Sequence, residues 1–302
     1  MARAIEQIER DIAALEKSAN KLFAELSSAY TTYCQALGQA TRQQLILASY
    51  QVCTQGYPKQ FLSLSFDRKQ QLQRAIRQLG QSAAAQLLEL LKNPAQMEQD
   101  LLDSIQLDSI QSEIASAIAD ADKELVEELV EEREQIIPPP DCQLPTAKLP
   151  TTPSNPLELV RWQYILEQAI AQVLKTLSLN TNHLLQQSGI LPQKLPAPLL
   201  EAATAVSETA GEMTVGPPNV MNLLIETENP QESQDVGVTQ LIAIQLRLSE
   251  IEFADTKVRT ARNQIRQLES NLVSLGREYQ KRQRERTIAE AEAAWRASWF
   301  DE

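Results

Sequence analysis

The sequence predicts an all-α protein in two parts, a helical bundle and a region with a long coiled-coil helix, joined by a proline-rich linker. Only 8 of the 302 residues are glycine, and no strand-length run alternates β-branched and polar residues. Aromatic residues make up 5% of the chain, which favours helix seams of alanine, leucine and isoleucine over one large globular core. Apolar residues recur at heptad spacing near both ends, and this spacing predicts long helices.

The N-terminal part, residues 1–136, is predicted to hold three helices. The first carries a heptad stripe of two interleaved columns, Ile5, Ile12, Ala19, Leu26 and Tyr33 in one and Ile8, Leu15, Leu22 and Ala29 in the other. We expect this helix to continue to a glycine–proline break at residues 56–58. The second is predicted from Ser65, a suitable N-cap, to the Asn93–Pro94 pair. The third is predicted from about residue 95 to 135, where apolar residues mark one face.

Residues 137–156 are predicted to form a linker. Of the 15 prolines in the chain, seven lie between Pro138 and Pro156. Proline lacks a backbone N–H and disfavours helical geometry in the residue before it. We therefore expect a semi-rigid, extended spacer between the two helical parts.

The second part, residues 157–302, is predicted to begin with a helix from Leu157 to Gln187. A left-handed glycine cap at Ser188–Gly189 should end this helix. A short helix is expected from Leu199 to Ala210. Glycine, proline and polar residues are frequent in 211–235, so we expect a loop there, with one short apolar segment docked on the core.

A long coiled-coil helix from about residue 239 to 299 is the clearest prediction. Its seam comprises Ile244, Ile251, Val258, Ile265, Leu268, Leu272, Leu275 and Tyr279. A helix of this length would extend roughly 90 Å, too far to be buried inside one small domain. It must therefore pair with a neighbour, either the helix at 157–187 or the same helix of another subunit.

The residues available for chemistry argue against catalysis. Cys34, Cys53 and Cys142 lie far apart and His183 is the single histidine, so neither a disulfide framework nor a Cys/His zinc site can form. No phosphate-binding loop, nucleophile elbow or zinc-protease motif occurs, and His183 has no cysteine or carboxylate close to it in sequence. We predict a non-enzymatic structural or adaptor protein that needs no cofactor or metal.

Charge and hydropathy predict a cytoplasmic protein. The formal net charge is −12, and the first residues lack the apolar region of a signal peptide. No run of about 18 apolar residues occurs, so no membrane span is expected. The expected partners are proteins, a second copy of the chain among them.

The C-terminal end of the long helix carries a candidate protein-binding surface. Apolar and aromatic residues recur there at helical spacing: Ile288, Ala291, Trp295, Trp299 and Phe300. An amphipathic helix that docks in a groove has anchors at this spacing, and tryptophan is enriched at binding hot spots. Packing of this end on the protein's own second part is the alternative. Insertion into a membrane surface is less favoured, because nearby carboxylates would be repelled by anionic lipid.

A basic run precedes this surface and suggests a second interpretation. It contains Arg277, Lys281, Arg282, Arg284 and Arg286. On a helix these side chains could bind an anionic membrane surface or nucleic acid. Glu278 and Glu285 dilute the charge and the chain as a whole is acidic, so an ordinary solvated helix face is favoured and nucleic acid is not an expected partner.

Three segments of the second half resemble a family of cyanobacterial proteins predicted to form coiled coils. These segments are HLLQQSGILPQKLP, GPPNVMNLLIE, and GREYQKRQRERTIAEAEAAWRASWFDE at residues 276–302. The resemblance implies a cytoplasmic bacterial protein. It assigns no role to any residue, because no chemistry is attached to these motifs.

Overall fold

The computed structural model describes residues 2–92, 153–192, 217–227 and 237–298. Its helices are α1 (Ala2–Gln51), α2 (Pro58–Ser63), α3 (Phe66–Glu89), α4 (Pro156–Gln187), α5 (Leu248–Ala254) and α6 (Thr256–Ser298). A π-helical turn, Val52–Gly56, follows α1, and two antiparallel strands, β1 (Val220–Thr227) and β2 (Gly237–Ile244), precede α5. The predicted all-α fold class is confirmed, with this one two-stranded sheet among the described residues. The predicted helices at 95–135 and 199–210, and the linker up to residue 152, lie outside the described ranges.

Helices α1 and α6 lie side by side and antiparallel. With 50 and 43 residues they extend about 75 and 65 Å, at 1.5 Å per residue. The Tyr279 hydroxyl of α6 donates a hydrogen bond of 3.3 Å to Glu16 of α1, and Arg282 forms an ion pair of 3.7 Å with Asp11. Later residues of α6 therefore meet earlier residues of α1.

The sequence did not identify α1 as the partner of the long helix. Helix α6 makes its most extensive contact with α1 and a smaller one with α4. The reason is that α1 has a heptad stripe long enough to match that of α6, with Leu26 and Tyr33 buried in α1 and Val258 and Ile265 buried in α6. The predicted pairing with the helix at 157–187 is thus a minor part of the interface.

The predicted start of the long helix, near residue 239, is wrong. Residues up to Ile244 form β2, and α5 ends before Asp255. The Asp255 side chain then caps α6, with Oδ1 accepting from the backbone N–H of Lys257 at 2.7 Å and of Val258 at 3.3 Å. Ile244 and Ile251 therefore fit the heptad spacing by coincidence: both are buried, but Ile244 lies in a strand and Ile251 in a separate short helix.

The segment predicted as a loop before this region contains a strand. Residues 220–227 pair with β2 in the register Val220–Ile244 to Thr227–Gly237. The left-handed backbone of Asn219 (φ 60°) leads into β1, and its side-chain oxygen accepts the N–H of Arg247 at 2.9 Å. The docked apolar segment is real, but it docks as a strand.

The free edge of β2 is covered by side chains from the helices. The backbone N–H of Ile244 donates to Oδ1 of Asn182 at 2.9 Å, and Asn182 Nδ2 donates to the Ile244 carbonyl at 2.8 Å. The N–H groups two residues to either side donate to the Tyr57 hydroxyl and to Ser178 Oγ, at 3.1 and 3.0 Å. An open strand edge would leave these groups unpaired. The contacts therefore hold the pair of strands β1 and β2, here called the hairpin, on the helical core.

Local signals placed the other helix ends well. Ser65 caps α3, since its side chain accepts from the Arg68 N–H at 3.4 Å. Helix α4 ends where predicted, and Gly189 has the left-handed φ of 78°. Pro156, assigned to the linker from the sequence, is instead the first residue of α4, a position where its missing N–H costs nothing.

Candidate protein-interaction surface

The C-terminal end of α6 extends past the described start of α1. Following the antiparallel alignment of Tyr279 with Glu16 and of Arg282 with Asp11, Ala2 lies level with about residue 292 of α6. All side chains from residue 290 to 296 are exposed. This end of the helix is therefore in contact with solvent on all its described sides.

One exposed stripe runs along α6 on the side away from the seam that faces α1. Its members, which we call the outer stripe, are Arg277, Lys281, Arg284, Ile288, Ala291 and Trp295. Ile288 is 51% exposed and Trp295 is 67% exposed. The structure thus brings three of the predicted partner-binding residues together on one open face. Trp299 and Phe300, which were predicted with them, lie outside the described residues.

The predicted basic surface is split between two faces of α6. Arg282 points toward α1 and binds Asp11 and Glu285, the latter at 2.7 Å. The hydrogen bond to Glu285 and the charge of that carboxylate raise the pKa of Arg282. Arg286 forms an ion pair of 3.2 Å with Glu290. The three bases of the outer stripe remain exposed on the opposite side, so the five residues form no single basic patch.

Most of the predicted seam is buried, though in three different elements. Val258, Ile265, Leu272 and Tyr279 are buried along α6, and Leu268 and Leu275 pack partly buried against the same core. Ile251 is buried in α5 and Ile244 in β2. The seam residues of α6 therefore hold it against α1, and this leaves the outer stripe on its solvent side.

A polar cluster, here called the polar clamp, holds the N-terminal part of α6 against three other helices. It consists of Tyr30 and Tyr33 of α1, Glu167 of α4, Glu252 of α5 and Arg262 of α6. The Tyr30 hydroxyl donates to Glu167 and the Tyr33 hydroxyl to Glu252, each at 2.6 Å. Arg262 forms ion pairs with both carboxylates, and its guanidinium carbon lies 5.6 Å from the centre of the Tyr33 ring.

The charges of the polar clamp are fixed by their surroundings. Burial, followed by the neighbouring carboxylates, raises the pKa of Tyr30 and of Tyr33, so both remain hydrogen-bond donors. Burial alone would lower the pKa of Arg262, but its hydrogen bond to Glu167 and the charge of that carboxylate raise it overall. The clamp therefore holds a charged arginine between two carboxylates, and it joins four helices.

Sequence reasoning missed the polar clamp. Its two tyrosine hydrogen bonds connect residues that are 137 and 219 positions apart in the chain. An arginine on an amphipathic helix normally indicates a solvent-facing position, and no spacing rule relates Arg262 to Tyr30 or Glu167. Only the folded arrangement of the helices makes the contacts visible.

The other reactive side chains are protected or occupied. Cys34 and Cys53 are buried and free, and burial raises the pKa of the first thiol to about 12 and of the second to about 11. Such thiols are protonated and poor nucleophiles at neutral pH. His183 is exposed and lies 2.8 Å from the Gln187 amide. Cys142 lies outside the described ranges.

Metal-binding and membrane-spanning features are absent from the part of the chain that the structure describes. Among those residues, no group of three or more histidine, cysteine, aspartate or glutamate side chains is placed to hold a metal ion. None of the described helices combines the length and the apolarity that a membrane crossing requires.

The fold and the surface define the class of protein as an all-α chain whose core is an antiparallel pair of long helices with an exposed helical end. No protein-family model, curated protein or solved structure matches the chain.

Proposed function

We propose that the chain is a non-enzymatic structural or adaptor protein of the cytoplasm that binds a protein partner through the outer stripe of α6. The observation that carries the proposal is the exposure of Ile288 and Trp295 on one face of a helix end that α1 leaves uncovered. Tryptophan and arginine are the residue types most enriched at binding hot spots, and both occur in the stripe. Their spacing suits a helix that packs on another helix or in a groove.

The firm attachment of the N-terminal part of α6 to the other helices supports this role. The polar clamp and the buried seam hold α6 on α1, α4 and α5. A surface that is already ordered loses less conformational entropy when it binds. The outer stripe is therefore presented in a fixed direction, as an adaptor requires.

The state of the reactive groups supports a non-enzymatic and cytoplasmic role. The two described cysteines are buried and form no disulfide, burial raises their pKa, and the clamp tyrosines already donate to carboxylates. A catalytic group needs an available proton or electron pair near a substrate. These side chains offer neither.

Binding to an anionic surface has less support than protein binding. Arg282 and Arg286 form ion pairs within the chain and do not share a face with Arg277, Lys281 and Arg284, so the five bases form no continuous basic surface. Glu290 and Glu292 follow directly on the same helix and would be repelled by anionic lipid.

Affinity capture with matched variants tests the proposal. The full chain is compared with Ile288→Ala/Trp295→Ala, and with Val273→Ala, which removes an apolar side chain of α6 that is 43% exposed but lies outside the stripe. We expect the double substitution to lower the captured amount of at least one protein more than about tenfold, and Val273→Ala to leave it unchanged. A buried tryptophan anchor commonly contributes about 2 kcal/mol or more to binding. Circular dichroism verifies that helix content is unchanged.

Two outcomes would contradict protein binding through the stripe. One is a set of bound proteins, second copies of the chain included, that is the same for all three chains. The other is salt-sensitive binding to phosphatidylserine vesicles that is lost on reversing the charges of Arg277, Lys281 and Arg284 but is unaffected by Trp295→Ala.

A further inference from the structure

We propose that the partner of the outer stripe is a second copy of this chain, and that two α6 helices pair antiparallel about the step from Ile288 to Ala291. The inference rests on the proposed function, because it names the occupant of the same stripe. The pair would be a closed twofold dimer in which each contact occurs twice.

The spacing of the outer stripe is that of a coiled-coil seam. Its members follow one another at intervals of four, three, four, three and four residues, from Arg277 to Trp295. This alternation keeps side chains facing a second helix over about three heptads. The stripe lies away from the buried seam, so a second α6 can pack on it without displacing α1.

Charge selects the antiparallel direction. In a parallel pair Arg277, Lys281 and Arg284 would each lie against the identical residue of the other copy, and like charges in such layers destabilise the pair. In an antiparallel pair centred between Ile288 and Ala291, Arg284 lies opposite Trp295 of the second copy and Lys281 lies opposite Ser298. No basic residue of the stripe then faces its own counterpart.

The sequence on either side of Ile288 is complementary in charge. Residues 277–287 contain five lysines and arginines and two glutamates, whereas residues 288–298 contain one arginine and two glutamates. An antiparallel pair centred near Ile288 brings these oppositely charged segments together. Because the pair has a twofold axis, this contact between a basic and an acidic segment occurs twice, once at each end of the dimer.

We infer the register of the two helices from the side chains that would face each other: a large one should face a small one, and an arginine should face an aromatic ring. When Ile288 lies opposite Ala291 of the second copy, the methyl side chain of the alanine allows close helix approach. The same register places Arg284 opposite Trp295 of the second copy. A guanidinium over an indole ring is a favourable cation–π contact, and it covers the most exposed tryptophan surface on α6.

Oligomeric state is the first test, measured by analytical ultracentrifugation of the full chain from about 1 to 200 µM, since dimerisation follows mass action. We expect a concentration-dependent dimer that Trp295→Ala and Arg284→Glu each weaken more than about tenfold. Two matched controls should keep the dimer. Arg259→Glu reverses an exposed base on the same side of α6 but beyond the paired segment, and Phe253→Ala removes a ring that is 80% exposed on α5.

Direction and register are tested by the distance between spin labels on Val273→Cys in a Cys142→Ser background, where Cys34 and Cys53 are buried. In the proposed register the two labelled positions are separated by about 50 Å, whereas a parallel pair would bring them within about 10 Å. A shift of one heptad would change the separation by about 10 Å.

Three results would overturn the inference. They are a monomer over the whole concentration range, a dimer that Trp295→Ala and Arg284→Glu leave intact, and a label distance near 10 Å. A monomer whose capture of another protein depends on Trp295 would overturn the dimer and leave the proposed function standing. A chain in which the stripe affects neither self-association nor capture would overturn both.

Discussion

At the scale of single residues, two helical glycines differ in what a side chain would meet. A Cβ atom on Gly38 of α1 would lie 2.9 Å from the Cβ of Ala84 in α3, whereas one on Gly276 of α6 would meet nothing within 4 Å. Alanine favours a helix over glycine by about 1 kcal/mol. We expect Gly276→Ala to raise the free energy of unfolding by about 0.5 to 1 kcal/mol, and Gly38→Ala to lower it by roughly 1 to 2 kcal/mol through overpacking.

Urea unfolding followed by circular dichroism measures both changes. The two substitutions share the same chemistry and helical setting, so they serve as controls for each other. Stabilisation by Gly38→Ala would contradict the close approach of α1 and α3.

Glu269 is a carboxyl group whose charge costs stability. Burial, strengthened by the charge of Glu167, raises its pKa against the opposing effect of Arg262 and of a 2.5 Å hydrogen bond from Gln163. A carboxyl group with a raised folded-state pKa binds protons more tightly when folded, so its contribution to stability falls as pH rises from the ordinary value through the raised one. We expect Glu269→Gln to stabilise the protein at neutral pH and to lose this advantage in acid.

The measurement is the difference in unfolding free energy between Glu269→Gln and the unchanged protein at pH 4 and pH 7. Glu278→Gln, on the exposed side of the same helix, is the control and should show a smaller difference. A difference for Glu269→Gln that grows on acidification would have the wrong sign.

At the scale of elements, one amide side chain holds the hairpin on α4. Asn182 is 1% exposed and bonds both backbone groups of Ile244. Asn182→Ala leaves a buried N–H and a buried carbonyl unpaired, and each such group costs about 1 to 3 kcal/mol. We expect a loss of roughly 2 to 4 kcal/mol and faster hydrogen exchange in β2.

Asn180→Ala is the matched control for that experiment, because Asn180 lies on the exposed side of α4, two residues away. It should change stability by less than about 0.5 kcal/mol. Equal effects of the two substitutions would mean that the amide of Asn182 does not hold the strand.

Elements with local signals were predictable from the sequence, and the hairpin was not. The Ser65 cap and the Gly189 end depend on residues within one turn of the helix they bound. Strand β2 depends on Asn182 and Tyr57, which lie far away in sequence and supply hydrogen bonds to its edge. The heptad position of Ile244 therefore favoured a helix, but the tertiary contacts to Asn182 and Tyr57 make this segment a strand.

At the scale of the whole molecule, the same division applies to the candidate surface. Ile288, Ala291 and Trp295 could be grouped from the sequence because they share a face of one helix. The loss of Arg282 from the basic surface could not be foreseen, since it depends on Asp11 at the other end of the chain. Contacts within one helix are fixed by its period, but contacts between helices depend on which helices pack together.

The last prediction concerns the polar clamp, which joins four helices through Arg262. Replacing it by methionine keeps most of the side-chain volume but leaves the carboxylates of Glu167 and Glu252 close together without a cation, and their repulsion should lower the free energy of unfolding by about 3 kcal/mol. Arg259→Met, on the exposed side of the same helix, should have little effect. Adding Glu167→Gln to Arg262→Met should recover part of the loss, since it removes one of the uncompensated charges. If the double variant is less stable than Arg262→Met alone, charge pairing is not what the clamp contributes, and the geometry of its hydrogen bonds is the remaining explanation.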